Sequence, residues 1–200
     1  MPEPIDFYFD FASPYGYFAS RRIDELAATH GRTVIWRPVL LGAIFKVTGM
    51  KPNLEQPLRG EYLVHDVGRI ARLTKAPFTY PDSAPANSVA AARVFYWLTD
   101  EHPEQAKLLA RTIYHAHWGE GRDIGPAGTV VEIAAGLGLD RAAVAAALQD
   151  QDVKDRLRAE NEAAVDRGVF GSPFFIVDDE PFWGWDRLDM LDRWLATGGW

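Results

Sequence analysis

Cysteine is missing from all 200 residues. Disulfides, thiolate metal sites and cysteine nucleophiles are excluded with it. Long apolar runs are missing too, and no stretch approaches the roughly 18 residues that a membrane-crossing helix needs. The start, MPEPIDFYFDFASP, has neither the basic opening nor the long apolar run of a signal peptide, so a cytoplasmic location is expected. Basic residues are in deficit, with 21 Lys and Arg against 28 Asp and Glu and a net charge of −7. Without a basic face, nucleic acid is not an expected partner. The acidic balance argues for solubility and identifies no substrate. The histidines, at positions 30, 65, 102, 115 and 117, lack a metal-ligand spacing. His115 and His117 stand two apart on an expected helix and so point to different sides. There is no G-x-S-x-G elbow and no phosphate-binding glycine loop.

What is present is a core. Hydrophobic residues make up 48% of the chain and aromatics 12%, which argues against disorder. The length fits one compact domain, or one with a large insertion. Residues 4–11 alternate and are rich in aromatics, which predicts a strand. Ser13 and Pro14 suit the cap and first turn of a helix over 14–29, and Gly31 suits its stop. A second strand over 33–39 completes a β-α-β unit. From 42 to 165 the texture turns helical and alanine-rich, with helices expected over 42–48, 61–74, 88–100 (capped by Asn87), 103–118, 127–137, 140–149 and 151–167. The stretch GVFGSPFFIVDDEPFW then reads as loop, strand, Asp-Asp turn and strand, and a closing helix follows. The order β-α-β, helical block, β-β-α is that of a thioredoxin-like sheet interrupted by a helical insertion.

The first chemical candidate is Phe11–Gly16, FASPYG, between the first strand and first helix. A helix N-terminus favours negative charge and lowers thiol pKa values. A thioredoxin relative would place Cys-x-x-Cys here, and this chain has Ser13 and Gly16 at the two positions. Any thiolate must then come from a cofactor, with Ser13 as hydrogen-bond donor; taken alone, the commoner reading of Ser13 is a helix cap. The second candidate is Phe170–Phe175, FGSPFF. A cis bond before Pro173 would let the Ser172 backbone pair with an extended peptide, whereas an ordinary turn with a trans bond is commoner for an isolated motif. Asp186, in WGWDR, would either cap the last helix or bind an ammonium group. Arg59, in a proline-rich loop, would bind a carboxylate or stay solvated. Trp118 would wall a cavity or pack in the core.

In order, the blocks FDFASPYGYFAS, RPVLLGAIFKVTG, NSVAAARVFYW, HWGEGRDI and GVFGSPFFIVDDEPFWGWDRLDML resemble the 2-hydroxychromene-2-carboxylate isomerase family. Its members are bacterial relatives of the kappa-class glutathione transferases in the DsbA-like group, and the resemblance spans nearly the whole chain. It implies an α/β fold: a thioredoxin-like domain over 1–41 and 168–200, with an all-helical domain inserted over 42–167. It implies reduced glutathione as cofactor, a small aromatic substrate and usually a homodimer; no metal is expected from the histidine spacing and the lack of cysteine. The implied reaction isomerises ring-closed 2-hydroxychromene-2-carboxylate to trans-o-hydroxybenzylidenepyruvate by reversible thiolate addition. By position, Ser13 would be catalytic and hydrogen-bond the glutathione sulfur, while Ser172 with Pro173 would hold the cysteinyl backbone. Asp186, beside Trp185, would bind the γ-glutamyl ammonium. Arg59 falls where kappa relatives have a lysine near the glycyl carboxylate. Met50 stands where relatives have an asparagine, and Asn53 is the candidate to compensate. Phe11, Tyr15, Asn87 and Trp118 would line the substrate pocket. Two alternatives stay open: a kappa-type transferase, and a thioredoxin-fold binding protein without turnover. The lack of cysteine nearly excludes a disulfide oxidoreductase.

Overall fold

The computed structural model describes residues 3–200, so positions 1 and 2 of the expected first segment lie outside the described residues. Among the described residues, four strands form one sheet: β1 (Ile5–Phe9), β2 (Val34–Pro38), β3 (Phe174–Val177) and β4 (Glu180–Trp183). Their order is β2-β1-β3-β4. The β1–β2 pair is parallel, and β3 is antiparallel to both its neighbours. Central β1 is covered on both faces, as its IDFYF run requires. Phe7 and Phe9 point into the larger core with Trp36 and Phe175, while Tyr8 points the other way, with Phe174 and Ile176, onto Val39 and Ala164.

The crossover between β1 and β2 is not one helix over 14–29. It is α1 (Pro14–Ser20) followed by α2 (Ile23–Thr29). The Ser20 hydroxyl donates to the Tyr17 carbonyl at 2.7 Å. The Arg21 and Arg22 amides reach back only three residues, to Phe18 and Ala19. A tight turn with a competing serine bond ends α1 early.

Between β2 and β3 lie α3 (Leu41–Thr48), α4 (Arg59–Thr74), α5 (Val89–Thr99), α6 (Pro103–Tyr114), α7 (Ala127–Gly136), α8 (Arg141–Gln149) and α9 (Gln151–Asp166). Arg59 therefore opens α4 rather than sitting in the preceding loop. The helix expected over 103–118 stops being α-helical after Tyr114. A π turn over His115–Gly119 follows, with the Glu120 amide bonded to the His115 carbonyl at 3.0 Å. Within it His115 is partly exposed and His117 fully buried, on different sides as the spacing predicts. Asp178 and Asp179 make the β3–β4 turn with φ of 50° and 63°, a conformation Asp tolerates better than most residues. The chain closes with α10 (Leu188–Thr197).

Candidate active site

Ser13 ends the loop after β1 and is 5% exposed. Its hydroxyl oxygen accepts the Gly16 amide at 3.1 Å, so it does cap α1. The same hydroxyl donates to the Ser172 carbonyl at 2.9 Å. The loops before α1 and before β3 are thereby tied together, and the Ser172–Pro173 bond is cis, as the motif suggested. The carbonyl assigned to a cofactor backbone is thus engaged by Ser13, so the hydroxyl must turn from Ser172 to face a sulfur. Because α1 has only seven residues, less rests on its dipole and more on this hydroxyl than a long helix would imply.

Sequence reasoning missed the residue beneath Ser13. Asp10 is 3% exposed, and its polar groups are all engaged. One carboxylate oxygen accepts the Ala12 amide at 2.9 Å and the other the Leu41 amide at 2.7 Å. The Asp10 amide donates to Ser172 Oγ at 2.9 Å, and its carbonyl accepts the Ser13 amide at 2.8 Å and the Tyr114 hydroxyl at 2.9 Å. Burial pushes the Asp10 carboxyl above its usual range, and the nearby Ser88 hydroxyl and the hydrogen bonds from the Ala12 and Leu41 amides offset part of that rise. The available signal was a carboxylate between two phenylalanines, Phe9-Asp10-Phe11, where a core strand has no place for an unpaired charge.

Around this centre lies a softer rim. The Tyr15 hydroxyl, on α1, donates to Asp66 on α4 at 2.9 Å. Burial, then this bond and the charges of Asp66 and Asp186, hold the Tyr15 phenol well above its usual range. Asp66, also missed, joins Asp186 as a second carboxylate facing Tyr15. Asp186 does not cap α10; it lies in a 3-10 turn over Trp185–Arg187 and pairs with Arg187 at 2.9 Å. Trp185 packs on Phe18 with ring centres 6.2 Å apart and under Arg22 at 5.7 Å. Trp185 and Asp186, with Phe18, Arg22 and Leu73, line a groove of about 530 Å³. A second groove, of about 550 Å³, lies beside Arg21 and Arg111, and Ser13 lines neither. Arg59 donates to Gln56 at 3.0 Å, and Gln56 in turn reaches Asn53 at 3.5 Å. Arg59 lies two turns, about 10 Å, from Asp66 along α4. Met50 is exposed nearby.

Two expected pocket residues are core instead. Phe11 is fully buried against Phe9 and Tyr114, and Trp118, 1% exposed, donates to the Phe11 carbonyl at 2.9 Å while stacking on Phe78. Both brace the loop that carries Ser13 from behind. Asn87 does not cap α5 as its N-cap residue, a position held by Ser88; its side chain accepts the Val89 amide at 3.1 Å. His117 presents Nδ1 to the Arg122 carbonyl at 2.9 Å and is buried, which lowers its pKa.

A family model described as a DSBA-like thioredoxin domain matches residues 4–196. A curated 2-hydroxychromene-2-carboxylate isomerase from Pseudomonas putida is 33% identical, covering 94% of this chain and 92% of its own. The chain belongs to this isomerase family within the DsbA-like thioredoxin group. A solved structure of a 2-hydroxychromene-2-carboxylate isomerase superposes on it with a TM-score of 0.86 at 32% identity, over 97% of this chain and 94% of that one. Human glutathione S-transferase kappa 1 is 24% identical over 98% of the chain and 94% of its own. The fold is accordingly a thioredoxin-like sheet with a large helical insertion.

Proposed function

We propose that this protein is a glutathione-dependent isomerase acting on 2-hydroxychromene-2-carboxylate or a similar ring-closed aromatic acid. The observation that carries the reading is the buried Ser13 hydroxyl, held where a dithiol relative would have its reactive cysteine, in a chain without cysteine. The donor set suits glutathione: a cation, Arg59, for a carboxylate; two carboxylates, Asp66 and Asp186, for an ammonium; and a hydroxyl, that of Ser13, for the sulfur. Bound glutathione supplies a thiolate that adds reversibly to a conjugated system. Ser13 turns its proton toward the sulfur and favours the charged form. Ser172 and Pro173 hold the cysteinyl backbone. Arg59, with Asn53 near it, fixes the glycyl end by charge, and Trp185 with Asp186 fixes the γ-glutamyl end. Tyr15 and Asn87 bound the space left for an aromatic acid.

The same reading assigns 1–41 with 168–200 to the thioredoxin-like domain and 42–167 to the insertion. It also places the protein in the cytoplasm as a homodimer, for which the exposed Val47, Leu58 and Leu73 on and beside α3 and α4 offer apolar surface. Among the described residues, no helix is long and apolar enough to cross a membrane.

The test is a calorimetric titration with reduced glutathione, followed by an isomerase assay on 2-hydroxychromene-2-carboxylate. Binding and turnover that requires glutathione are expected. Binding without turnover, or a product that keeps its glutathione, would replace the isomerase with a binding protein or a transferase.

A further inference from the structure

Gly16 poses a question the helix itself does not answer. It lies inside α1 with no left-handed backbone, so nothing in its conformation calls for glycine. Glycine at such a position costs about 0.5–1 kcal/mol relative to alanine. The reason is space. A Cβ at position 16 would stand 2.4 Å from the Tyr114 hydroxyl oxygen and 3.0 Å from Ser172 Oγ. Those two oxygens fill the volume that a side chain there would take, and position 16 is the second position of the Cys-x-x-Cys arrangement.

Both oxygens are bonded to the Asp10 backbone. The Asp10 amide donates to Ser172 Oγ at 2.9 Å, and the Tyr114 hydroxyl donates to the Asp10 carbonyl at 2.9 Å. All three residues are buried. These bonds fix Ser172, whose carbonyl holds the Ser13 hydroxyl at 2.9 Å until a sulfur draws it away, so they set the place from which that hydroxyl turns. We propose that the hydroxyls of Tyr114 and Ser172 take the place of the second cysteine, and that Tyr114 is a positioning residue for Ser13. Tyr114 closes α6, just before the π turn, so the inserted helices supply a part of the site that the β1–α1 motif lacks. Its phenol stays neutral, because burial and then the nearby Asp10 charge oppose ionisation. It orients and does not exchange a proton. The role in thiolate formation rests on the glutathione reading above; the packing claim does not.

The experiment compares wild type, Gly16→Ala, Tyr114→Phe and the double variant in two ways. In thermal unfolding without ligand, Gly16→Ala should lower Tm sharply when the Tyr114 hydroxyl is present and far less when Tyr114→Phe removes the collision. Additive shifts would overturn the claim that the two positions share one volume. In the glutathione complex at neutral pH, Tyr114→Phe should lower the thiolate-to-thiol ratio, read by ultraviolet absorbance, by roughly three- to tenfold, a rise in thiol pKa of half to one unit. Affinity for S-methylglutathione, which has no thiol to ionise, should stay within about twofold on the same scale. An unchanged thiolate fraction would reduce Tyr114 to packing. If Gly16→Ala does not fold, Ser172→Ala replaces it: Ser172→Ala and Tyr114→Phe should each give the same thiolate loss, and together no more, whereas independent losses that multiply would contradict a shared support through Asp10. A wild type that takes no glutathione would sink the cofactor reading, and the Tm coupling would still decide the packing claim.

Discussion

Ser13 and Arg59 stand at two ends of one proposed site under different physical conditions. Ser13 is 5% exposed, its hydroxyl accepts one bond and donates another, and the Asp10 carboxylate is buried beneath it. Arg59 is exposed, with Gln56 as its hydrogen-bond partner. A hydrogen bond to a charged group in a desolvated place is worth about 1.5–3 kcal/mol, whereas an exposed ion pair is worth about 0–1 kcal/mol. On the glutathione reading, the inner end would govern how reactive the bound thiol is, and the outer end how firmly the peptide is gripped. Mutations at the two ends should separate turnover from affinity.

The largest effect should come from Ser13→Ala. Losing one hydrogen bond to a thiolate should slow turnover at neutral pH by about one to two orders of magnitude. Glutathione affinity should change much less. Loss of the α1 cap should also cost about 1 kcal/mol of stability, visible as a lower Tm. Equal falls in affinity and turnover would erase the distinction between the two ends.

Asp10→Asn should be next. An amide has one acceptor oxygen where the carboxylate uses two, for Ala12 and Leu41, so stability should drop by about 1–3 kcal/mol. The effect of pH has an unusual sign. Burial raises the Asp10 pKa, so the folded chain holds that proton more tightly than the unfolded chain. Between the unfolded value of about 3.9 and the higher folded one, this group's contribution to stability is lost as pH rises. Asparagine does not ionise, so the penalty for Asp10→Asn should be greatest at the acid side of that window and shrink above it. Unfolding curves of both proteins across pH check this.

Arg59→Ala should weaken glutathione binding by no more than about fivefold, the equivalent of about 1 kcal/mol, and the loss should fade as salt rises. Calorimetry at two ionic strengths reads it. Met50→Asn should do least. Met50 is 38% exposed, and a single polar replacement there should tighten glutathione binding by about twofold at most. A tenfold gain at position 50 would mean that the outer rim, not the centre, limits this protein.

The fold was legible because its signals are local and agree with one another. PIDFYFDF, TVIWRPV and PFFIVDDEPFW each carry strand alternation or a turn, and the alanine-rich stretch between them has helical spacing. Helix ends were less legible. Ser20 turning its hydroxyl back on Tyr17 and the π turn at His115 depend on short-range hydrogen bonds that periodicity does not register. At the site, Ser13, Pro173 and Asp186 were visible as motif residues. Asp10, Asp66 and Tyr114 were not, because each acts through a partner distant in sequence: Asp10 through Leu41 and Ser172, Asp66 through Tyr15, Tyr114 through Asp10. Phe11 and Trp118 were misplaced on a cavity wall for the same reason. Aromatic content alone does not separate a lining residue from a core one, and the indole bond to the Phe11 carbonyl decides between them.

On this account the Ser13 hydroxyl makes a thiolate of bound glutathione. The direct measurement is the ultraviolet thiolate absorbance of the glutathione complex against pH, with wild type beside Ser13→Ala. The thiol pKa should rise by about one to two units in Ser13→Ala, since each unit is about 1.4 kcal/mol and one charged hydrogen bond is removed. Superimposable titration curves, with equal isomerase rates, would contradict the account and leave Ser13 as a helix cap.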